Sequence, residues 1–248
     1  MSYVAVSALS HPGLLRGRNE DSLVVGPWTL CATVTENPQS LVFPLGTPLV
    51  VAVADGLGGH PGGDVASALA AHRLASIGPT LSSEDAVRDA LNACNRAVYR
   101  AAGGTESELA TMGTTVAGVV VQPGSLLTFN VGDSRVFAAS RDGLRQVSVD
   151  DSPPLEPGER TTFLVTQCLG GTPGYRPISP HVTAASLSPG DRYLICTDGL
   201  TDPVTPDEID AVMREHDDGR AAFELWKAAI AAGGPDNITL AVVRIGDE

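Results

Sequence analysis

Apolar positions along this chain follow two different periods. Short runs rich in Val, Ile and Leu, bounded by Gly, Pro, Asp or Ser, predict strands over Val4–Ser10, Ser22–Val25, Leu30–Thr35, Leu49–Ala54, Thr114–Val121, Leu126–Val131, Arg135–Ala139, Leu144–Val147, His181–Ser186, Tyr193–Thr197 and Ile238–Ile245. Between residues 141 and 144, Asp142-Gly143 predicts a tight hairpin turn, because that dipeptide tolerates positive φ. Two pairs of segments instead repeat their apolar residues at helical spacing. The first pair is 64–77 and 83–102, where Val87, Ala90, Leu91, Cys94, Ala97, Val98 and Ala101 mark one face. The second is 206–216 and 220–232, with Ile209, Val212, Met213, Phe223, Trp226 and Ile230 as expected core contacts. Thr205, Pro206 and Glu208 form a capping-box start for the third helix.

Strands, a helix pair, many strands, a second helix pair and a last strand do not alternate as a doubly wound sheet would. The order predicts an α+β fold in which two antiparallel sheets pack face to face with helices outside. The 248 residues contain no Gly/Ser-rich or Pro-rich linker between the motifs discussed below, so one domain over 1–248 is expected. Hydrophobic residues make up 43% of the chain but aromatics only 4%, which leaves Val, Ala and Leu to fill the core.

A formal charge of -13 argues against a nucleic-acid or anionic-membrane surface, since both need clustered Lys and Arg. Cys31, Cys94, Cys168 and Cys196 contain no Cys-x-x-Cys pair and fit reduced thiols. The start, Met-Ser-Tyr-Val-Ala-Val, lacks a basic region followed by an apolar one, and no apolar run is long enough to span a bilayer. A cytoplasmic location is therefore expected.

Four aspartates end or begin strand-like runs far apart in the chain: Asp55 before Gly56, Asp133 before Ser134, Asp198 before Gly199, and Asp236 before Asn237. Each alone reads as an ordinary turn. If the strand ends converge, several carboxylates share one small volume. They cannot all stay ionised there without a hard divalent cation such as Mg²⁺ or Mn²⁺. The Asp55–Asp64 stretch adds glycines that permit close backbone approach. Upstream, Arg16 offers a guanidinium suited to phosphate, beside Glu20 and Asp21.

Taken in order, Arg16-x-x-Asn19-Glu20-Asp21, Asp55-Gly56-x-Gly58-Gly59-His60, Met112-Gly113-Thr114-Thr115, Val131-Gly132-Asp133-Ser134-Arg135, Cys196-Thr197-Asp198-Gly199-Leu200 and Gly234-Pro235-Asp236-Asn237-Ile238-Thr239 resemble the signatures of the metal-dependent protein phosphatases of the 2C type, the PPM Ser/Thr phosphatases. The resemblance runs from about residue 3 to 245, like a stand-alone bacterial catalytic domain. It implies a four-layer αββα sandwich with the metal site at one end. Carried over by residue, Asp55 bridges two Mn²⁺ or Mg²⁺ ions, with the Gly56 carbonyl on one ion and Asp198 and Asp236 on the other. Glu20 and Asp21 act directly or through water, and Asp133 with Asp198 holds a third, weaker ion. A water activated by the metal pair attacks phosphorus, Arg16 clamps the phosphoryl oxygens, and His60 protonates the leaving Ser or Thr oxygen. Asn237 orients Asp236, the four cysteines are not nucleophiles, and His72 reads as a core-edge residue.

The implied partners are phosphoproteins and a cognate Ser/Thr kinase pathway, with the phosphatase a monomer. The competing expectations are a catalytically weak or inert phosphoprotein-binding regulator of the same fold, which the complete ligand set disfavours, and a phosphatase acting on anti-sigma-antagonist-type regulators. Two departures from the family pattern stand out. The flap at about 150–165 is short and Pro-rich, with Asp150-Asp151-Ser152 in place of Asp-His-Ser, and Gln167 stands where an Arg is expected. A short flap predicts a more open centre and looser substrate discrimination. The 27–48 segment fits either an extended β-turn or a partner-binding loop.

Overall fold

The computed structural model describes residues 2–154, 162 and 164–247. Strands β1 (Tyr3–His11), β2 (Ser22–Val25), β3 (Trp28–Cys31), β4 (Gln39–Pro44) and β5 (Leu49–Ala54) precede helices α1 (Gly63–Ile77) and α2 (Glu84–Ala101). The middle of the chain supplies β6 (Gly113–Thr114), β7 (Val116–Gln122), β8 (Ser125–Val131), β9 (Arg135–Ser140) and β10 (Gly143–Gln146). Then come β11 (Leu169–Gly170), β12 (His181–Ser186) and β13 (Arg192–Cys196), followed by α3 (Asp198–Thr201), α4 (Pro206–Glu215), α5 (Asp218–Ala231) and β14 (Ile238–Gly246).

One six-stranded sheet has the order β10-β9-β13-β14-β1-β4 and the other β12-β8-β7-β5-β2-β3, with β6 and β11 forming a short separate pair. All pairings among the described strands are antiparallel. β5 shows why the apolar runs are continuous rather than alternating. Its Val51 and Val53 meet Val6, Val119, Ile195 and Val243 between the sheets, while Val50 and Ala52 on its other face meet Ala70, Leu74 and Leu91 of α1 and α2. On the far side, Leu194, Leu240 and Val242 pack beneath α4 and α5 against Ile209, Met213 and Leu225. Each buried Val or Leu contributes about 1.5–3 kcal/mol of hydrophobic stabilisation. The layers are therefore helix, sheet, sheet, helix.

The helix starts follow their local chemistry. Ser83 accepts a hydrogen bond from the Ala86 amide, Asp217 from the Arg220 amide, and Thr205 and Glu208 complete the expected capping box with Pro206 in the first turn.

Several boundaries differ from the sequence expectation. The 27–48 segment holds two strands: β3 pairs with β2 around a turn at Gly26, so Val25 faces Trp28 and the strand ends at Cys31 rather than Thr35. β4 pairs with β1 on the opposite sheet, so this segment edges both sheets. The expected strand over 114–121 is split between β6 and β7. α5 turns its small residues inward, with Ala221, Ala222, Leu225 and Ala229 buried, and leaves Phe223, Trp226 and Ile230 half-buried at the flank. Ala101 is exposed and Ala102 buried, and His72 is exposed, leaning on Thr29 of β3.

Candidate functional site

Strand register explains why the scattered acidic residues meet. Ser22 pairs with Ala54, which sets Asp21 beside Asp55. Val53 pairs with Ala117, bringing Thr115 to the same end, and Val116 pairs with Val131, bringing Asp133 after it. On the second sheet, Cys196 pairs with Leu240 and His11 with Ile238. Asp198, Asp236 and the 12–20 loop therefore emerge at the same end as Asp55.

The backbone there is clamped by side chains. Asp55 donates its amide to Thr115 Oγ1 at 3.2 Å and accepts from Thr114 Oγ1 at 2.8 Å through its carbonyl. Thr115 Oγ1 in turn meets Ser134 Oγ at 2.7 Å. Asn237 holds the N-terminal loop: its Nδ2 donates to the carbonyls of Pro12 (3.0 Å) and Arg18 (2.8 Å), and its Oδ1 accepts from the Glu20 amide at 2.8 Å. Asp236 is oriented by the Asn237 backbone amide, at 2.8 Å from Oδ1. Asn237 thus does more than the expected orientation of Asp236, since its side chain locks the segment that carries Arg16 and Glu20. Gly199 leaves no room for a side chain, because a Cβ there would lie 1.9 Å from the Asn237 carbonyl.

A cleft of about 780 Å³ opens over this end. Arg16, Glu20, Asp55, Asp133, Asp198 and Asp236 line it, as do Gly56 and the exposed His60. Asp21 does not reach the cleft. It is fully buried beneath and accepts from Thr197 Oγ1 at 3.0 Å. Arg16 Nη2 lies 2.7 Å from Asp236 Oδ2, and the ion pair raises the Arg16 pKa. Gly58 lets the chain pass against that guanidinium.

The carboxyls push one another upward. Burial, then repulsion from Asp21 and Asp198, raises Asp55 well above 3.8. Burial also raises Asp198, and it raises Glu20 in a setting that includes Asp64. Asp55 and Asp198 keep a strip of solvent exposure, yet protein surrounds them closely enough for desolvation to dominate. Burial lifts Asp21 to about 7 against hydrogen bonds from Thr239 and Thr197. Burial and Asp198 lift Asp133 and Asp202 to about 7. Asp55 and Asp198 thus crowd one another, and burial leads in raising both.

These residues fit hard divalent cations. The donors are oxygens, and Oδ1 of Asp21 and Oδ1 of Asp198 are buried without hydrogen-bond partners. Among the described residues no three His, Cys, Asp or Glu side chains stand close enough together to hold an ion without some side-chain rearrangement. Arg16 offsets part of the acidic charge through its ion pair with Asp236. Cys168 lines the cleft, but burial pushes its thiol up to about 11, and that of Cys196 to about 12, so neither is a thiolate nucleophile. All four cysteines are free thiols.

Asp202, Thr115 and Thr197 belong to the site although sequence reading did not single them out. The Thr residues sat inside quoted motifs, and Asp202 follows Asp198 by one helical turn, which could have found it. The two departures from the family pattern prove to be partners. Asp151 Oδ2 accepts from Gln167 Nε2 at 2.9 Å and from the Gly132 amide at 2.8 Å, while Asp151 Oδ1 meets His181 Nε2 at 2.9 Å. The Thr166 amide donates to the Asp151 carbonyl at 2.7 Å, which ties the two ends of the flap together. Flap residues 155–161 and 163 lie outside the described residues, so the expected flap shape and its consequences rest on sequence alone.

Comparison with known proteins places this arrangement. A protein phosphatase 2C family model matches residues 42–228. The serine/threonine protein phosphatase PstP of Mycobacterium tuberculosis is 30% identical over 97% of this chain, which spans 45% of that relative's length. The serine/threonine phosphatase stp of Listeria monocytogenes is 29% identical over 94% of this chain and 92% of its own. The crystal structure of the PstP catalytic domain in complex with two manganese ions superposes with a TM-score of 0.80 at 28% identity, covering all of both chains. With that match, the αββα layering and the acidic end of the sandwich, the chain belongs to the protein phosphatase 2C family.

Proposed function

We propose that this protein is a metal-dependent serine/threonine protein phosphatase that hydrolyses phosphoserine and phosphothreonine in proteins. The observation that carries the proposal is the convergence of Asp55, Asp198 and Asp236 on one cleft floor with Arg16 at its rim. The two manganese ions of the PstP catalytic domain, aligned over this whole chain, support the cofactor assignment. Asp55, Asp198, Asp236 and the Gly56 carbonyl would hold two Mn²⁺ or Mg²⁺ ions, with Glu20 and Asp21 in support and Asp133 with Asp198 at a third, weaker position. Such ions, when bound, supply a nucleophilic water at neutral pH and offset phosphoryl charge.

The chain's own groups do the rest. Arg16 binds the phosphoryl oxygens through its planar fork, exchanging part of its contact with Asp236 for the substrate. His60, exposed on the glycine-rich turn over the cleft, donates a proton to the departing Ser or Thr oxygen. Asn237 and Gly199 keep the Arg16 loop and Asp198 in place. The ligand set is complete, which disfavours an inert phosphoprotein-binding regulator.

Residues 1–248 work as one catalytic domain, a view supported by the single set of valines and leucines shared between both sheets. Among the described residues no helix is long and apolar enough to cross a membrane. A cytoplasmic monomer serving a cognate Ser/Thr kinase pathway fits that and the free thiols. The direct test is phosphopeptide turnover with Mn²⁺, without it, and with a chelator. Turnover that depends on the metal supports the proposal, whereas a folded, Mn²⁺-loaded protein with no turnover opposes it.

A further inference from the structure

The cleft has a second wall, formed by residues between 164 and 178, and its chemistry differs from that of the acidic floor. Arg176 stands on it exposed, and among the described residues its guanidinium has no hydrogen-bond or ion-pair partner. Of the other two arginines of the cleft, Arg16 pairs with Asp236, and Arg18 belongs to the N-terminal loop on the acidic side, its carbonyl held by Asn237. Among the described residues of this second wall, Arg176 is the uncommitted cation.

The backbone beneath it is unusually well fixed for a surface segment. Asn95, fully buried on α2, donates Nδ2 to the Arg176 carbonyl at 2.8 Å and accepts the Gly170 amide through Oδ1 at 2.9 Å. From the next turn of α2, Tyr99 Oη reaches the Gly170 carbonyl at 3.1 Å and Thr172 Oγ1 at 2.7 Å. Its ring meets that of Tyr175 edge-on with centroids 5.2 Å apart. Ile178 then packs on the core beneath α1 and α2. A rigid base lowers the ordering cost of any contact the guanidinium makes.

Electrostatics then selects what that contact is. The chain as a whole is at -13, and it stays acidic when the floor carboxylates hold two divalent cations, so an acidic side chain beside the reacting phosphoresidue finds little attraction from the general surface. At the second wall a guanidinium fork accepts a carboxylate bidentately. We infer that Arg176 is a specificity-determining residue, pairing with an acidic side chain that flanks the phosphoserine or phosphothreonine of the substrate. The inference rests on the phosphatase activity proposed above and adds the sequence class of its substrates.

The test uses the full chain loaded with Mn²⁺ and phosphothreonine peptides carrying Glu or Gln at each flanking position in turn. At one such position the wild-type protein should prefer Glu about fivefold in kcat/KM, the scale of a partly exposed ion pair, and chiefly through KM. Arg176→Gln should erase that preference and Arg176→Glu should reverse it, with kcat and p-nitrophenyl phosphate turnover unchanged. No Glu preference at any position, or a preference that survives Arg176→Gln, overturns the inference while leaving the phosphatase reading intact. If no peptide is turned over, the phosphatase reading fails separately. Fluorescence anisotropy of the same peptides then still decides, because wild type must bind Glu peptides more tightly than Gln peptides and Arg176→Gln must not.

Discussion

The chelated protein should lose stability as pH rises, and Mn²⁺ should reverse the trend. Asp21 and Asp133 are held at about 7 in the folded chain against 3.8. Below pH 4 both states carry the protons, and neither group distinguishes them. Between pH 4 and 7 the folded state binds more protons than the unfolded one, so stability falls with pH until the folded groups have ionised. A carboxyl held at about 7 has lost on the order of 4 kcal/mol of its preference for the ionised form. Burial leads in both groups, with repulsion from Asp198 added, so one such contribution is the conservative scale for the pair. One such group loses about 2.7 kcal/mol of this between pH 5 and 8, so at roughly 2–4 °C per kcal/mol for a chain of this size the melting temperature in a chelator should drop by about 5–10 °C over that range. Mn²⁺ binds the ionised set and adds about 2.7 kcal/mol at a hundredfold excess over Kd, so the gap between loaded and chelated protein should widen with pH. Differential scanning calorimetry across that range measures both curves. General self-repulsion of an acidic chain also favours low pH, and Asp198→Asn separates the two causes. That variant should melt higher than wild type in chelator at pH 8 and gain little from Mn²⁺. Parallel pH curves with and without metal, or a chelated Asp198→Asn protein no more stable than wild type, would refute the reasoning.

Three further outcomes follow from named contacts. Asp198→Asn should abolish phosphopeptide turnover in a folded protein, with near wild-type kcat as the contrary result. His60→Ala should slow alkyl phosphate hydrolysis far more than that of p-nitrophenyl phosphate, whose leaving group needs little protonation; equal losses on steady-state assay would remove the general-acid role. Asn237→Ala leaves the Pro12 and Arg18 carbonyls and the Glu20 amide without their partner. It should cost about 1–3 kcal/mol in denaturant unfolding and raise KM through the loosened Arg16 loop, while unchanged stability and KM would show the clamp to be idle.

Much of the fold was legible because a sandwiched strand and an amphipathic helix write different periods, and β2, β5 and β12 end where the apolar runs end. β4 was not legible: Gln39–Pro44 is half exposed on an edge and takes its identity from pairing with β1. On α5 the expected Trp226 and Ile230 do pack against the core, but from its flank, because close approach to the sheet places Ala221, Ala222, Leu225 and Ala229 at the centre of the face. Of the site, the acidic residues were visible as carboxylates at strand ends, but their order in depth was not. That Asp21 lies beneath the floor with Thr197, while Asp55 and Asp198 stand on it, depends on register. Nor could a local pattern show Asp151, Gln167 and His181 as one network, because they come from three separated segments.

The central claim is that the acidic end of this sandwich is built for a pair of hard cations. Crystals soaked in MnCl₂ and measured for anomalous scattering test it most directly. The account predicts two strong manganese peaks coordinated by Asp55, Asp198 and Asp236, one of them also touching the Gly56 carbonyl. Anomalous density absent from these carboxylates at millimolar manganese would contradict it.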